Sequence, residues 1–241
     1  MSASSTLIRL LCHSLGHSLG RSLGRSLWIG ALAASLPLLA GGAAGLTAPT
    51  EARAAKPVTV DQLLAGFAKM PGLYAEFRQE SHFALLAEPL IDTGTLHFAD
   101  GRLARRTLSP SPSVVVMDAS GIEYGDGERQ ERIEFDGKPA VKQFVDAFTR
   151  IFAGDRKGLE ALYRIEFQAG EGRSWTLRLI PKVSPMDQII AQVEVSGTEL
   201  KIATMRVIET GGDETITQFS NVDPARKYSK ADKQELFSTS L

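Results

Sequence analysis

His82 and His97, with Asp92 and Asp100 flanking the second, are the side chains after residue 54 whose types suit acid–base or metal chemistry. Their spacing fits neither the paired histidines of a zinc-binding helix nor a serine triad. No Gly-x-Ser-x-Gly follows residue 54, and no glycine-rich loop opens a helix that would cradle phosphate. Asp100 stands before Gly101 in a tight-turn dipeptide, which directs it away from His97. Cys12 is the only cysteine and precedes the apolar part of the leader, so disulfides, thiol catalysis and thiolate metal sites are excluded from the rest of the chain. These residues argue against an enzyme, and neither a metal nor another cofactor is expected.

The remaining chemistry is recognition. Arg102, Arg105 and Arg106 cluster on one hairpin, where they suit an anionic headgroup or a clamp on a movable cover. The ordinary alternative is a solvated hairpin, since exposed arginines are common there. Large apolar side chains recur at strand and helix spacing around them, and that pattern suits burial of an apolar ligand as well as plain core packing.

The first 54 residues carry an export pattern. Arg9, Arg21 and Arg25 form a positive start without acids, Leu27 to Leu46 is apolar, and Ala52-Arg53-Ala54 resembles a signal cleavage site. We place the cut after Ala54. The apolar run approaches the ~20 residues that span a bilayer, so a retained inner-membrane anchor facing the periplasm is the competing reading. Cys12 has no small residue just before it, which argues against lipidation. The His-Ser-Leu-Gly and Arg-Ser-Leu-Gly repeats from His13 to Leu27 read as low complexity, and the start codon is open within them.

Cleavage leaves residues 55–241, enough for one domain with a real core. Losing Arg9, Arg21, Arg25, Arg53 and Glu51 leaves 23 basic and 27 acidic residues, a net charge of −4. A mildly acidic domain without a basic block is a poor nucleic-acid binder.

The elements that position the candidate residues follow a simple order. Thr59 and Gln62 form a capping box, Val58 and Leu63 a hydrophobic staple, and Leu63, Leu64, Phe67 and Met70 one helical face, ended by Pro71-Gly72. Leu73, Ala75 and Phe77 alternate with Tyr74, Glu76 and Arg78 in a strand with one dry face. Asp100-Gly101 predicts a hairpin between Leu96–Phe98 and Arg102–Leu108. Val114–Met117 and Ile122–Tyr124 flank Ala119-Ser120-Gly121, Gly125-Asp126-Gly127 turns the chain into Glu131–Phe135, and the mixed charges of Glu128–Glu134 read as an exposed edge strand. Pro139 opens a second helix whose stripe is Val141, Phe144, Val145, Phe148, Ile151 and Phe152, ended by Gly154. A shorter helix is predicted over Gly158–Leu162. Strands follow around Ile165–Phe167 and Trp175–Leu179. Ile189, Ala191, Val193 and Val195 then alternate, Gly197-Thr198 turns, and Leu200–Glu209 and Glu214–Val222 complete the sheet. A polar tail begins near residue 223, with a short helix capped by Ser229.

This order resembles the periplasmic outer-membrane lipoprotein carrier family, LolA, over roughly Val60 to Val222. The resemblance rests on Phe77-Arg-Gln79 after the first helix, Gly94-x-Leu96 on the second strand, Leu179-Ile-Pro-Lys182 before the last hairpins, and Thr215 to Val222 as closing strand. The family's Arg-Pro with following aromatics is missing from Phe98 to Arg106, and Arg102 is the candidate stand-in for its lid-closing arginine. The resemblance implies an α+β fold: a strongly curved antiparallel β-sheet, an incomplete barrel, with helices covering its concave face. It also implies a periplasmic carrier of an acylated lipoprotein or lipid, a monomer served by an inner-membrane exporter and an outer-membrane acceptor. On that reading Phe77, Leu96, Phe98, Val116, Ile133, Trp175, Leu177 and Val193 form the cavity wall. Leu64, Phe67, Phe144, Phe148 and Phe152 form the cover. An envelope module that uses the same sheet for a protein partner, without lipid transport, stays open.

Overall fold

A computed structural model of the chain describes residues 57–241. The leader, the cut after Ala54 and the anchor alternative all lie outside the described residues. The chain enters α1 (Val60–Phe67) and then makes β1 (Leu73–His82), β2 (Leu90–Ala99), β3 (Arg102–Ser109), β4 (Ser113–Asp118), β5 (Gly121–Gly125) and β6 (Gln130–Glu134). Two helices follow, α2 (Pro139–Ala153) and α3 (Arg156–Leu162). The second run of strands is β7 (Tyr163–Ala169), β8 (Ser174–Pro181), β9 (Ile190–Thr198), β10 (Lys201–Glu209) and β11 (Glu214–Asp223), and α4 (Lys230–Leu236) lies in the tail.

All eleven strands form one antiparallel sheet in the order β6-β5-β4-β3-β2-β1-β11-β10-β9-β8-β7. Each half is a meander, and the β1–β11 pair joins them, with Phe77 opposite Phe219 and Gln79 opposite Thr217. The edges β6 and β7 do not pair, so the barrel is incomplete. Seven strand spacings separate β6 from β10, about 34 Å in a flat sheet. Yet Ile133 of β6 and Val207 of β10 belong to one core cluster, together with Val141, Phe144 and Val145 of α2. The sheet must therefore bend strongly around α2. A second cluster gathers Leu63 and Phe67 of α1 with Leu159, Trp175, Leu177 and Leu179. Helix on concave sheet is thus the α+β arrangement expected from the sequence.

Local chemistry explains the boundaries. The Thr59 hydroxyl accepts from the Gln62 amide at 3.2 Å, and the Gln62 side chain accepts from the Thr59 amide at 3.1 Å, completing the capping box. Pro139 occupies the first turn of α2, and Gly154 ends it in the left-handed region at φ 69°. Asp100 and Gly101, at φ 51° and 74°, make the two-residue turn between β2 and β3.

Two expectations are corrected. The chain turns at Glu199–Leu200, with Glu199 at φ 55°, and Gly197 stays in β9. A Cβ at Gly197 would lie 2.8 Å from the Trp175 ring, so this glycine provides close approach and not the turn. In β9, Ile190 is buried and Ala191 exposed, against the predicted alternation of Ile189, Ala191 and Val193. A register shift opposite Ile208 and Glu209 changes the parity there.

The tail does not trail free. Phe237 packs on Ala99, Ala104, Val114 and Val116 of the convex face. Arg106 Nη1 donates to the carbonyls of Leu236 and Ser238 at 3.4 and 3.2 Å, and its Nη2 donates to that of Ser240 at 3.2 Å. Arg102 donates to the Phe237 carbonyl at 3.0 Å.

Candidate functional site

Between the concave sheet and the helices lies an apolar cavity of about 100 Å³. Its cover is Phe67 of α1 with Phe144, Phe148, Ile151 and Phe152 of α2. The i, i+4, i+8 spacing of the three α2 phenylalanines places them on one helical face. Phe144 and Phe148 meet edge-on at 5.1 Å, Phe67 tilts against Phe152 at 5.9 Å, and Phe67 meets Trp175 edge-on at 6.0 Å. The wall includes Phe77, Leu96, Leu103 and Met117 from one half of the sheet. Trp175, Leu177, Val195, Ile202, Met205 and Phe219 come from the other.

One end of this apolar space is polar. Gln79, Arg105, Thr215 and Thr217 also line it. They occupy inward positions on adjacent strands, since Gln79 faces Thr217 across β1–β11 and Leu96 faces Arg105 across β2–β3. The Arg105 guanidinium lies over the Phe77 ring at 4.4 Å, donates to the Thr107 hydroxyl at 2.7 Å, and pairs with Asp92 at 3.6 Å. Both charged side chains are almost fully buried. Thr217 donates to the Gln79 side-chain oxygen Oε1 at 3.3 Å, and Gln79 Nε2 donates to the Ser81 hydroxyl at 3.4 Å. Gly94 makes room for this layer, because a Cβ there would lie 2.9 Å from the Phe77 ring and 2.0 Å from the Arg106 carbonyl oxygen. The inward side of β1 thus runs from Leu73, Ala75 and Phe77 to Gln79 and Ser81, from apolar to polar. Such a cavity suits a ligand with an apolar chain and one polar group.

Of the residues singled out in the sequence, Phe67, Phe77, Leu96, Phe144, Phe148, Phe152, Trp175, Leu177 and Arg105 line the cavity. The others sit elsewhere. Leu64 is buried core whose carbonyl faces Gly154. Phe98, on the sheet, stacks on Phe152 of the cover at 4.1 Å without lining the cavity. Ile133 lies in the cluster beneath α2, and Val193 packs against both clusters without lining the space. Val116 points to the convex face under Phe237. Arg102 and Arg106 hold the tail, so Arg102 is not at the lid; strand alternation puts Arg105 alone on the concave side. Sequence reasoning missed the polar Gln79, Thr215 and Thr217, and the apolar lining residues Leu103, Met117, Ile151, Val195, Ile202, Met205 and Phe219. For the polar group the signal was parity: Gln79 continues the dry face of Leu73, Ala75 and Phe77.

The histidine constellation does not assemble. Asp92 faces inward to Arg105, while Asp100 pairs with Lys233 at 2.6 Å. His97 is buried on the convex side, 3.2 Å from the Tyr228 hydroxyl through Nδ1 and 3.0 Å from Thr95 through Nε2. Tyr228 gives its proton to the Leu73 carbonyl at 2.7 Å, so Nδ1 is the donor to Tyr228 and Nε2 accepts from Thr95. Burial, assisted by the positive charges of Arg106 and Arg226, lowers the His97 pKa to about 4. His97 is a neutral fastener of the tail. Burial raises the Tyr163 hydroxyl to about 12, and that hydroxyl donates to the Gln143 carbonyl of α2 at 3.3 Å. Among the described residues, no group of three or more His, Cys, Asp or Glu is placed to hold a metal ion, and no helix is long and apolar enough to cross a membrane.

Several solved structures are similar. A LolA superfamily protein from Nitrosomonas europaea aligns at TM-score 0.38 and 7% identity, over 72% of this chain and 96% of that one. A domain described as an outer membrane lipoprotein-sorting protein, from Vibrio parahaemolyticus, aligns at TM-score 0.44 and 12% identity, over 76% and 99%. The MucA/MucB complex of Pseudomonas aeruginosa aligns at TM-score 0.43 and 15% identity, over 71% of this chain and 59% of that one. No curated protein matches the sequence. The family model described as outer membrane lipoprotein carrier protein LolA-like matches residues 52–234. That match spans most of the sequence, and the chain belongs to the LolA-like family of outer membrane lipoprotein carrier proteins.

Proposed function

We propose that the protein is a periplasmic carrier that holds the acyl chains of a lipoprotein or related lipid in its apolar cavity and passes them toward the outer membrane. The observation that carries this reading is the aromatic cover closing an apolar cavity with one buried arginine at its end. Each methylene moved out of water contributes about 0.8 kcal/mol, so ten of them supply about 8 kcal/mol of binding. The apolar wall provides that term without covalent chemistry. Arg105, Gln79, Thr215 and Thr217 would meet the ester, amide or headgroup at the end of the chain.

As it stands, the cavity is small for this cargo. A dry cavity of about 150 Å³ holds one benzene, and this one measures about 100 Å³. On the carrier reading, the cover moves to admit it. Moving α2 away from the sheet separates Phe144, Phe148 and Phe152 from the wall while leaving the β-ladders intact. An inner-membrane exporter would load the open form and an outer-membrane acceptor would empty it. Free diffusion between them requires the leader to be removed, with the mature protein starting near Ala55.

Phe148→Glu tests the cover. It places a charge at the seam between helix and sheet, where burial without a partner is unfavourable. The expected result is a strong change in binding of an apolar fluorescent probe by a protein that keeps its circular dichroism spectrum. Probe binding equal to that of the unaltered protein would sink the lid. Unfolding would mark Phe148 as core, and Phe148→Ala would then read probe binding in a folded protein.

A further inference from the structure

The exposed large apolar side chains of the described residues are Leu85, Leu86, Leu90, Ile91, Leu108, Val183 and Leu241. They come from four separated segments, yet the strand registers bring all four to one rim of the sheet. His82 at the end of β1 faces Glu214 at the start of β11, and Ser81 faces Leu90 at the start of β2. The loop from 83 to 89, which joins those strands, carries Leu85 at 97% exposure. Thr93 faces Ser109, so Leu108 ends β3 on the same rim. Val183 follows Pro181, which faces Tyr163 and ends β8 there. Leu241 lies beside Gly127 in the β5–β6 turn, again on this rim. The turns of the opposite rim, around Gly101, Ser120, Gly172 and Glu199, carry no exposed large apolar residue.

We infer that this rim, led by the 83–91 tip, docks on the surface of a phospholipid bilayer. A protein partner would need a separate socket for each scattered protrusion. A fluid apolar phase accepts all of them together. The rim also borders the cavity, because its lining residues Gln79 and Thr215 belong to the same ends of β1 and β11. That adjacency gives the proposed carrier a route for cargo, although the docking itself does not depend on the carrier reading. No Lys or Arg occurs between Gln79 and Gly101. Glu88, Asp126, Glu128, Asp187 and Asp213 outnumber Arg129 and Lys182 around the rim. Attachment therefore rests on apolar insertion and not on attraction to anionic lipid, unlike a basic interfacial helix.

The test uses the full chain with Cys12→Ser, so that one introduced cysteine carries an environment-sensitive fluorophore. Leu85→Cys reports the tip and Ser120→Cys the opposite rim. Comparing the two positions separates any partition of the apolar leader segment from insertion of the tip. With phosphatidylcholine vesicles, emission at residue 85 should shift to the blue and be quenched by a bilayer-embedded quencher, while residue 120 stays unchanged. Phosphatidylglycerol should add nothing. Adding Leu86→Asp and Leu90→Asp should reduce the quenching-derived partition of the tip by about tenfold or more. An unshifted emission at residue 85, an equal shift at residue 120, or a shift only with anionic lipid would overturn the proposal. Cargo-free vesicles leave the cavity untested, so failure here and failure of probe binding by Phe148→Glu remain distinct results.

Discussion

Acidification should loosen the C-terminal strap, and His97 sets the amount. In the folded protein the ring is buried, donates through Nδ1 to Tyr228 and accepts through Nε2 from Thr95. Arg106 and Arg226 add positive charge nearby, and the pKa falls to about 4 from the ordinary 6.5. The unfolded chain therefore takes up the proton first. The stability that His97 contributes as a neutral group is complete above about pH 6.5, falls as pH drops toward 4, and is flat below it. A shift of that size corresponds to about 3 kcal/mol as an upper limit, at 1.36 kcal/mol per unit. For a domain of this size that is about 6–12 °C in Tm. His97→Asn removes the titration while its side-chain amide retains a donor toward Tyr228. Urea denaturation of both proteins from pH 8 to pH 4 should give curves whose difference changes between pH 6.5 and 4. Parallel curves across that window would show that the buried imidazole is not what acid attacks. A difference that grew above pH 7 would show that the sign is wrong.

Gly94→Ala should destabilise the fold severely, by about 3 kcal/mol or more, because its Cβ would press on the Arg106 carbonyl and the Phe77 ring; a Tm within 2 °C of the unaltered protein would contradict the close packing. Asp92→Asn leaves the Arg105 charge buried without its carboxylate and should cost about 3–5 kcal/mol. The double change Asp92→Leu with Arg105→Met should recover most of that stability in chemical denaturation, yet weaken binding of probes that carry a carboxylate more than binding of purely apolar ones.

Short-range chemistry was legible in the sequence. The Thr59 capping box, the Asp100-Gly101 turn and the Val141-to-Phe152 stripe each depend on a few neighbouring residues, and each element forms where its residues place it. The wall and cover of the cavity followed from those elements wherever alternation was clean, as at Phe77, Leu96, Trp175 and Leu177. Long-range effects hid the rest. Val114 to Met117 is apolar at every position because the tail buries the convex face as well, so alternation could not show that Val116 points outward. The β9 bulge reversed the parity near Ile190, because Ala191 is the extra residue between the pairs Gln192–Ile208 and Ile190–Glu209, and such an insertion shows only once the strand is paired. Arg102, Arg105 and Arg106 read as one cluster, yet period-2 geometry divides them. Which side is concave depends on how β6 and β10 come together around α2. The polar end of the cavity escaped notice because Gln79, Thr215 and Thr217 are small signals on separate strands, joined only by register.

The central claim is that the cavity carries an acyl chain. Native mass spectrometry of the protein purified from its own envelope, paired with analysis of the organic extract, tests it most directly. The expected result is a mass added in about equimolar amount that disappears on extraction and appears in the extract as an acylated molecule, with Phe148→Glu changing its amount. Protein recovered at its bare mass, or carrying a polypeptide partner with no acyl species in the extract, would contradict the carrier account.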